Sequence, residues 1–278
     1  MDARTGKRIQ AGRLFDPASG RAIVVALSHG VLLGPSPGLA TLEQLRTTAD
    51  SLRAADALMV APGLVAPLED AFVGRDRPAL VVHADWQSAS RSVFRHVAEA
   101  GATAGAGPAR VAAETTARAE EAAAAGAAAV MTFLFAGFDD PALERDEIRR
   151  AARMARACER AGILHIIEPR SAGERARPSE RADPRVGAYL ARIAAEIGAD
   201  IVKVIHPGSR EALAEVVAGC PVPVLLAGGS EAEDPTRGEE LAADAIATGC
   251  RGLVFGRAIV RAADPAAALA RYRAIVHR

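Results

Sequence analysis

Short apolar runs recur along the chain: "AIVVAL" (22–27), "ALMV" (57–60), "ALVVHA" (79–84), "AAVMTFLF" (128–135), "ILHIIE" (163–168), "DIVKVI" (200–205), "PVLLAG" (223–228) and "GLVFG" (252–256). Each has the length of a buried strand and is apolar throughout rather than at alternate positions. That pattern predicts a parallel sheet covered on both faces. Helical periodicity fills the intervals. "LATLEQLRTTADSLRAA" follows the first run, and "ARVAAETTARAEEAAAAG" precedes the fourth. "ALERDEIRRAARMARACERAG" precedes the fifth and stops at Gly162, a C-cap residue type. "VGAYLARIAAEIG", "SREALAEVVAG" and "GEELAADAIATG" precede the last three runs. "DPAAALARYRAIVHR" closes the chain, with Asp264 as N-cap and Pro265 at the first helical position. Eight strand-like runs alternating with helices predict a (β/α)8 TIM barrel, with an open doubly wound sheet as the rival. The expected organisation is one domain over residues 1–278, with 1–20 as an N-terminal extension. The Ala/Glu/Arg-rich stretch at 109–125 reads as a solvated helix in preference to an interaction element.

In such a barrel the chemistry sits at the C-terminal ends of the strands. One residue there is out of keeping with the rest of the chain. Of 34 Lys+Arg residues only Lys7 and Lys203 are lysine, and Lys203 lies inside "GADIVKVIHPG" among Ile201, Val202, Val204 and Ile205. Arginine keeps its proton in a protein, whereas a desolvated lysine can lose it. A neutral amine can attack a carbonyl and form a Schiff base; the rival reading is a lysine reaching out to solvent from a strand end. Glu168 ends the fifth run, and neighbouring strands lie about 4.8 Å apart, so Glu168 is placed to stand beside Lys203. It would be either a simple ion-pair partner or a proton shuttle with a raised pKa.

Gly228, Gly229 and Ser230 after the seventh run, with Gly256 and Arg257 after the eighth, lie where barrels commonly bind phosphate. The loop after the first run, "ALSHGVLLGPSPGL", offers Ser28 and His29 as catalytic candidates; Asp85 after the third run and His206 after Lys203 are expected to contact substrate or its phosphate. His83, His96, His165 and His277 are each expected to be structural. His29, His83, Asp85 and Glu168 lack any local metal-ligand spacing, and no HExxH, CxxC, GxxxxGK[ST] or GxSxG motif occurs. Neither a metal nor a cofactor is implied.

The formal net charge is zero and the pI near neutral, which gives no sign of a nucleic-acid or membrane partner. Three scattered cysteines and an N-terminus without an apolar h-region lead to the expectation of a cytoplasmic protein.

"SHGVLLGPSPGL", "ARIAAEIGADIVKVIHPG", "CPVPVLLAGGSE" and "GLVFGRAIVRAADP" resemble the class I aldolase superfamily, which includes archaeal-type fructose-bisphosphate, deoxyribose-phosphate and tagatose-bisphosphate aldolases and a related phosphate thiolase. The resemblance spans roughly residues 20–277. It implies a (β/α)8 barrel, often a homo-oligomer, with Lys203 as the Schiff-base lysine and Gly228, Gly229, Gly256 and Arg257 as the phosphate loops. It further implies a small phosphorylated sugar as substrate. Two positions depart from the pattern. The first strand of that group usually ends "DHG", and here Ser28 replaces the aspartate. A serine holds no charge, so the aspartate's role must move elsewhere or be lost. The fifth strand has Glu168 where the fructose-bisphosphate enzymes tend to have a tyrosine, as the tagatose-bisphosphate branch does. The reaction expected is reversible aldol cleavage of a phosphorylated ketose, with Glu168 moving protons at the hydroxyl and at the imine. The alternatives are a transaldolase- or thiolase-like transfer through the same lysine, or a non-catalytic phosphosugar-binding protein on this barrel.

Overall fold

A computed structural model of the chain describes residues 2–87, 113–171, 183–229 and 231–278. Ten strands are seen among them: β1 (Ala22–Ala26), β2 (Ala57–Val60), β3 (Ala79–His83), β4 (Asp85–Gln87), β5 (Ala113–Thr115), β6 (Ala129–Ala136), β7 (Leu164–Ser171), β8 (Ile201–Ile205), β9 (Val224–Ala227) and β10 (Gly252–Phe255). Eight of them close into a parallel barrel in the order β1-β10-β9-β8-β7-β6-β3-β2. Each of the eight corresponds to one apolar run of the sequence.

The runs are apolar throughout because both faces of every strand are buried. Within a run, alternate residues face opposite sides. Val24, Met59, Val81, Met131, Ile166, Ile201, Leu225 and Val254 fill the barrel interior. Ile23, Leu58, Val82, Val130, Ile167, Val202, Leu226 and Phe255 pack outward against helix residues such as Leu45, Leu213, Leu241 and Leu269. Burying a side chain of this size stabilises by roughly 1.5–3 kcal/mol. A one-residue slip of any strand would therefore exchange the two layers and cost heavily.

Four helices begin with the same Asp-Pro pair, at Asp140, Asp183, Asp234 and Asp264. Each aspartate accepts a hydrogen bond from a backbone N–H of the first turn, and the proline fills the first helical position. A cap of this kind contributes about 1 kcal/mol. Gly162 closes the Pro141–Ala161 helix with φ 70°, a left-handed conformation suited to glycine.

Two regions differ from the sequence expectation. The stretch predicted as one helix over 109–126 instead places Ala113–Thr115 in a strand antiparallel to Asp85–Gln87, and only Ala119–Ala124 is helical. The β-branched pair Thr115 and Thr116 favours extended backbone. The helix starts where the Glu121 carboxylate accepts from the Arg118 backbone N–H at 2.9 Å. The N-terminal extension carries a helix, Ala3–Leu14, capped by Asp2. It closes the N-terminal end of the barrel: Leu14 is fully buried among Ala22, Ala128, Leu164 and Ile201. Lys7 ties it down through Asp200 at 2.9 Å and Glu159 at 2.5 Å. Gly6 lies so close to Gly162 that an added Cβ would stand 2.8 Å from the Gly162 carbonyl oxygen.

Candidate active site

Lys203 has the same phase as Ile201, and Glu168 the same as Ile166, so both project inward at the C-terminal end of the barrel. The β7–β8 register aligns Ile166 with Ile201, which brings the two side chains level. Lys203 Nζ lies 2.6 Å from Glu168 Oε2, and the Arg170 guanidinium contacts the other carboxylate oxygen. Glu168 is fully buried and Lys203 is 8% exposed. Arg170 in turn lies over the Phe133 ring, 5.8 Å from its centroid.

Burial pushes the Lys203 ammonium towards losing its proton, against the pull of Glu168, and the net pKa is lowered. For Glu168 burial acts in the opposite sense, but the charges of Arg170 and Lys203 outweigh it and hold the carboxyl below the ordinary value. The expectation of a raised pKa is thus corrected. Glu168 is a carboxylate clamped between two cations.

Ser28 lies in phase with Val24 and Ala26, at the mouth end of β1. Its Oγ is 2.9 Å from His83 Nδ1, and His83 Nε2 is 3.1 Å from Asp85 Oδ1. Asp85 Oδ2 accepts from the Phe133 backbone N–H at 2.7 Å and from Arg150 at 2.8 Å. Asp85 is fully buried with these donors around it, so the expectation that it contacts substrate is corrected: it serves His83 instead. His206 also departs from expectation. It falls on the helix side of β8, accepts from the Gly208 N–H and lies 3.6 Å from Asp244 on the Pro235–Ala247 helix. Even-numbered positions of β8 face outward, which is why it leaves the mouth while Ile205, 44% exposed, remains there.

His29 packs its ring on Gly256, where a Cβ would come within 2.3 Å of it. Its pKa is lowered to about 4, chiefly by burial and then by the charges of Lys203, Arg257 and Arg261. Arg257 and Arg261 are both tied to Glu233, at 2.6 and 2.8 Å. The Gly228 N–H is engaged by the Val254 carbonyl at 3.4 Å, while Gly229 takes a left-handed φ of 63°. Ser230 lies outside the described residues. Among the described residues no three His, Cys, Asp or Glu side chains are grouped to hold a metal ion. Nor is any helix there long and apolar enough to cross a membrane.

Sequence reasoning missed Arg170, Arg150, Glu233 and the part played by His83. Two of these carried a signal. Arg170 follows Glu168 by two on a strand that continues past the apolar run, and His83 precedes Asp85 by two on an inward phase.

A closed (β/α)8 barrel with a buried lysine at the C-terminal ends of its strands is an arrangement suited to amine chemistry on a carbonyl. The comparisons agree: residues 22–262 match the DeoC/LacD family aldolase model, and the chain belongs to that family. It is 29% identical to an uncharacterized aldolase of Saccharolobus solfataricus, over 94% of this chain and 90% of that protein. It is 33% identical, over 48% of each chain, to 2-amino-4,5-dihydroxy-6-oxo-7-(phosphonooxy)heptanoate synthase of Streptomyces griseus. A solved Schiff base-forming fructose-1,6-bisphosphate aldolase shares the fold with a TM-score of 0.74 at 22% identity, over 97% of this chain and 98% of that one.

Proposed function

We propose that this chain is a Schiff-base-forming aldolase that cleaves or condenses a phosphorylated ketose-like substrate through Lys203. The observation that carries the reading is the Lys203–Glu168 contact of 2.6 Å, buried at the end of the barrel where substrates enter. Burial weakens the hold of the Lys203 ammonium on its proton, and Glu168, 2.6 Å away, is the group within reach to relay it. The free amine then attacks the ketone carbon. Glu168 returns the proton to the carbinolamine hydroxyl, water leaves, and an iminium forms. The iminium accepts the electron pair of the neighbouring C–C bond as that bond breaks.

Arg257, Arg261 and the backbone around Gly229 and Gly256 would hold the phosphate. Glu233 now occupies the two guanidinium groups, so a phosphate must share or displace it. His29 is depressed chiefly by burial, and the charges of Lys203, Arg257 and Arg261 that add to the shift support an anion there. Remote phosphate binding positions the reacting carbons and so lowers the barrier. The substrate class and the homo-oligomer belong to this proposal.

The test is borohydride reduction in the presence of a panel of phosphorylated ketoses. A covalent adduct on Lys203, absent from Lys203→Arg, is the expected result. No adduct with any ketose phosphate, or an adduct on Lys7, would overturn the reading.

A further inference from the structure

We infer that Ser28, His83 and Asp85 form a second proton-carrying chain, which takes the proton of the substrate hydroxyl on the wall of the barrel opposite Lys203. The inference rests on the aldolase reading above and adds to it the group that reading lacks. Glu168 is held between Lys203 and Arg170 and serves the nitrogen. Aldol cleavage also requires a base for the hydroxyl two carbons from the ketone, and a carboxylate already pairing two cations is poorly suited to it.

The opposite wall supplies a candidate. In the closed order, β9 and β10 separate β8 from β1, and β6 separates β7 from β3. Ser28 and His83 therefore face the Lys203–Glu168 pair across the mouth. The direction of the chain follows from its donors. The Asp85 carboxylate can only accept, and it already accepts from Arg150 at 2.8 Å and the Phe133 N–H at 2.7 Å. His83 Nε2, 3.1 Å away, must then carry the ring proton. That leaves the Nδ1 lone pair facing Ser28 Oγ at 2.9 Å, so the serine hydroxyl donates to it. His83 is 1% exposed and edge-on to the Phe133 ring at 5.4 Å, which fixes its plane. A serine polarised in this way is poised to accept a second proton on its oxygen.

The step balances. As the C–C bond breaks, its electron pair passes to the iminium to give an enamine. The substrate hydroxyl becomes the aldehyde carbonyl and yields its proton to Ser28 Oγ. The Ser28 proton passes to His83 Nδ1, and the resulting imidazolium is stabilised by Asp85. Reversal returns the proton for condensation. Ser28 stands where the resembling sequences carry an aspartate. Here the negative charge has moved inward by one histidine, to Asp85, instead of being lost.

A self-satisfied polar cluster with no role in turnover would show the same distances, so the test must separate the two. Ser28→Ala and His83→Gln are each expected to lower kcat for cleavage by roughly 10²- to 10⁴-fold, the usual range for an acid–base group, with KM little changed. The borohydride adduct on Lys203 should persist in both. Ser28→Thr, which keeps the hydroxyl, should restore most of the activity, and the double variant should be no slower than the worse single one. Nitrogen-15 NMR of the parent protein should show His83 protonated at Nε2. Turnover within about threefold of the parent in Ser28→Ala would overturn the inference, as would an Nδ1-protonated His83. Absence of the Lys203 adduct in the parent would instead overturn the aldolase reading, and the NMR result would still decide the ground state of the chain. Should His83→Gln fail to fold, Ser28→Ala and the NMR measurement suffice.

Discussion

Replacing Glu168 by Gln removes the anion that two buried cations share, and the consequences can be worked out from the site. At 2.6 Å the gross attraction between Lys203 and Glu168 is about 6 kcal/mol with an effective dielectric constant near 20. Most of that repays desolvation. Deleting one partner of a buried pair nonetheless costs about 3–5 kcal/mol, because the other charge is left uncompensated. Lys203 has an escape that an arginine lacks, since it can release its proton. Without Glu168 its pKa falls further below the ordinary 10.5, while that of the unfolded chain does not. Between those two values the unfolded state binds more protons, so stability rises with pH across that window. The variant should therefore be about 3–5 kcal/mol less stable than the parent near pH 6 and recover part of the loss by pH 9. The parent's Lys203 pKa is lowered too, though Glu168 pulls against it, so the parent's stability also rises with pH just below 10.5, and the variant's recovery is the excess over that rise. Glu168 is depressed, so its contribution is present above about 4.5 and disappears only as pH falls through its lower folded value. Neither comparison pH touches it.

Turnover should fall by roughly 10²- to 10⁴-fold, because the carbinolamine loses its acid. Slow adduct formation on Lys203 should survive, since the amine is more often neutral. Urea unfolding at the two pH values, with borohydride trapping on the same preparations, measures all three effects. A stability loss that does not change with pH would mean Lys203 stays charged without its partner. Turnover within about threefold of the parent would remove Glu168 from the chemistry. Either result would refute the reasoning.

In the parent, the rate of borohydride trapping should rise with pH and level off below 10.5, because burial lowers the Lys203 pKa; Arg170→Gln should move that plateau to higher pH by removing a like charge. Arg257→Gln should raise KM for a phosphorylated substrate by roughly tenfold or more and leave kcat for an unphosphorylated analogue unchanged, as expected for a charge-assisted contact worth about 1.5–3 kcal/mol. Gly6→Ala forces a Cβ to 2.8 Å from the Gly162 carbonyl and should lower thermal stability, by about 1–3 kcal/mol, with no change in adduct formation.

The barrel was legible because its strands are buried on both faces. Continuous apolar runs then mark every strand, and Asp-Pro caps and terminal glycines mark the helices between them. The Lys203–Glu168 pair was legible for a related reason: a charged residue inside such a run has no surface to escape to. What the sequence hid was pairing between loops. Glu233 and Arg257 are adjacent only because two consecutive strands of the barrel end side by side. Asp85 has the look of a mouth carboxylate, and only Arg150, 65 positions on, shows it to be spoken for. His206 illustrates the limit of proximity in sequence. It lies three residues from Lys203, an odd step along a strand, and so faces the outer helices and Asp244. The 109–126 stretch misled because alanine-rich composition outweighed two threonines, Thr115 at the end of a short strand and Thr116 just past it.

On the proposed reading one site takes both a reactive amine and a phosphate, and the charges at the mouth bear on each. Asp85 is neutralised by Arg150 below the mouth, and Glu168 is shared by Lys203 and Arg170. Arg257 and Arg261 share the single carboxylate of Glu233. Among the described residues Glu168 and Glu233 are thus each shared by two cations, and the pKa of His29 is lowered chiefly by burial and then by the charges of Lys203, Arg257 and Arg261. On that reading a phosphate would meet Arg257 and Arg261 at the ends of β9 and β10, and β9 is the immediate neighbour of β8, which carries Lys203. The proposed anion site and the amine therefore lie on neighbouring sectors of the wall, and a bound phosphate would pull the Lys203 pKa up. What opposes that pull is burial, the largest cause of the lowered Lys203 pKa, followed among the charges by Arg170. The proposed chemistry thus requires that the amine stay desolvated when the anion arrives, so an anion that brought water with it to the mouth would slow the first step.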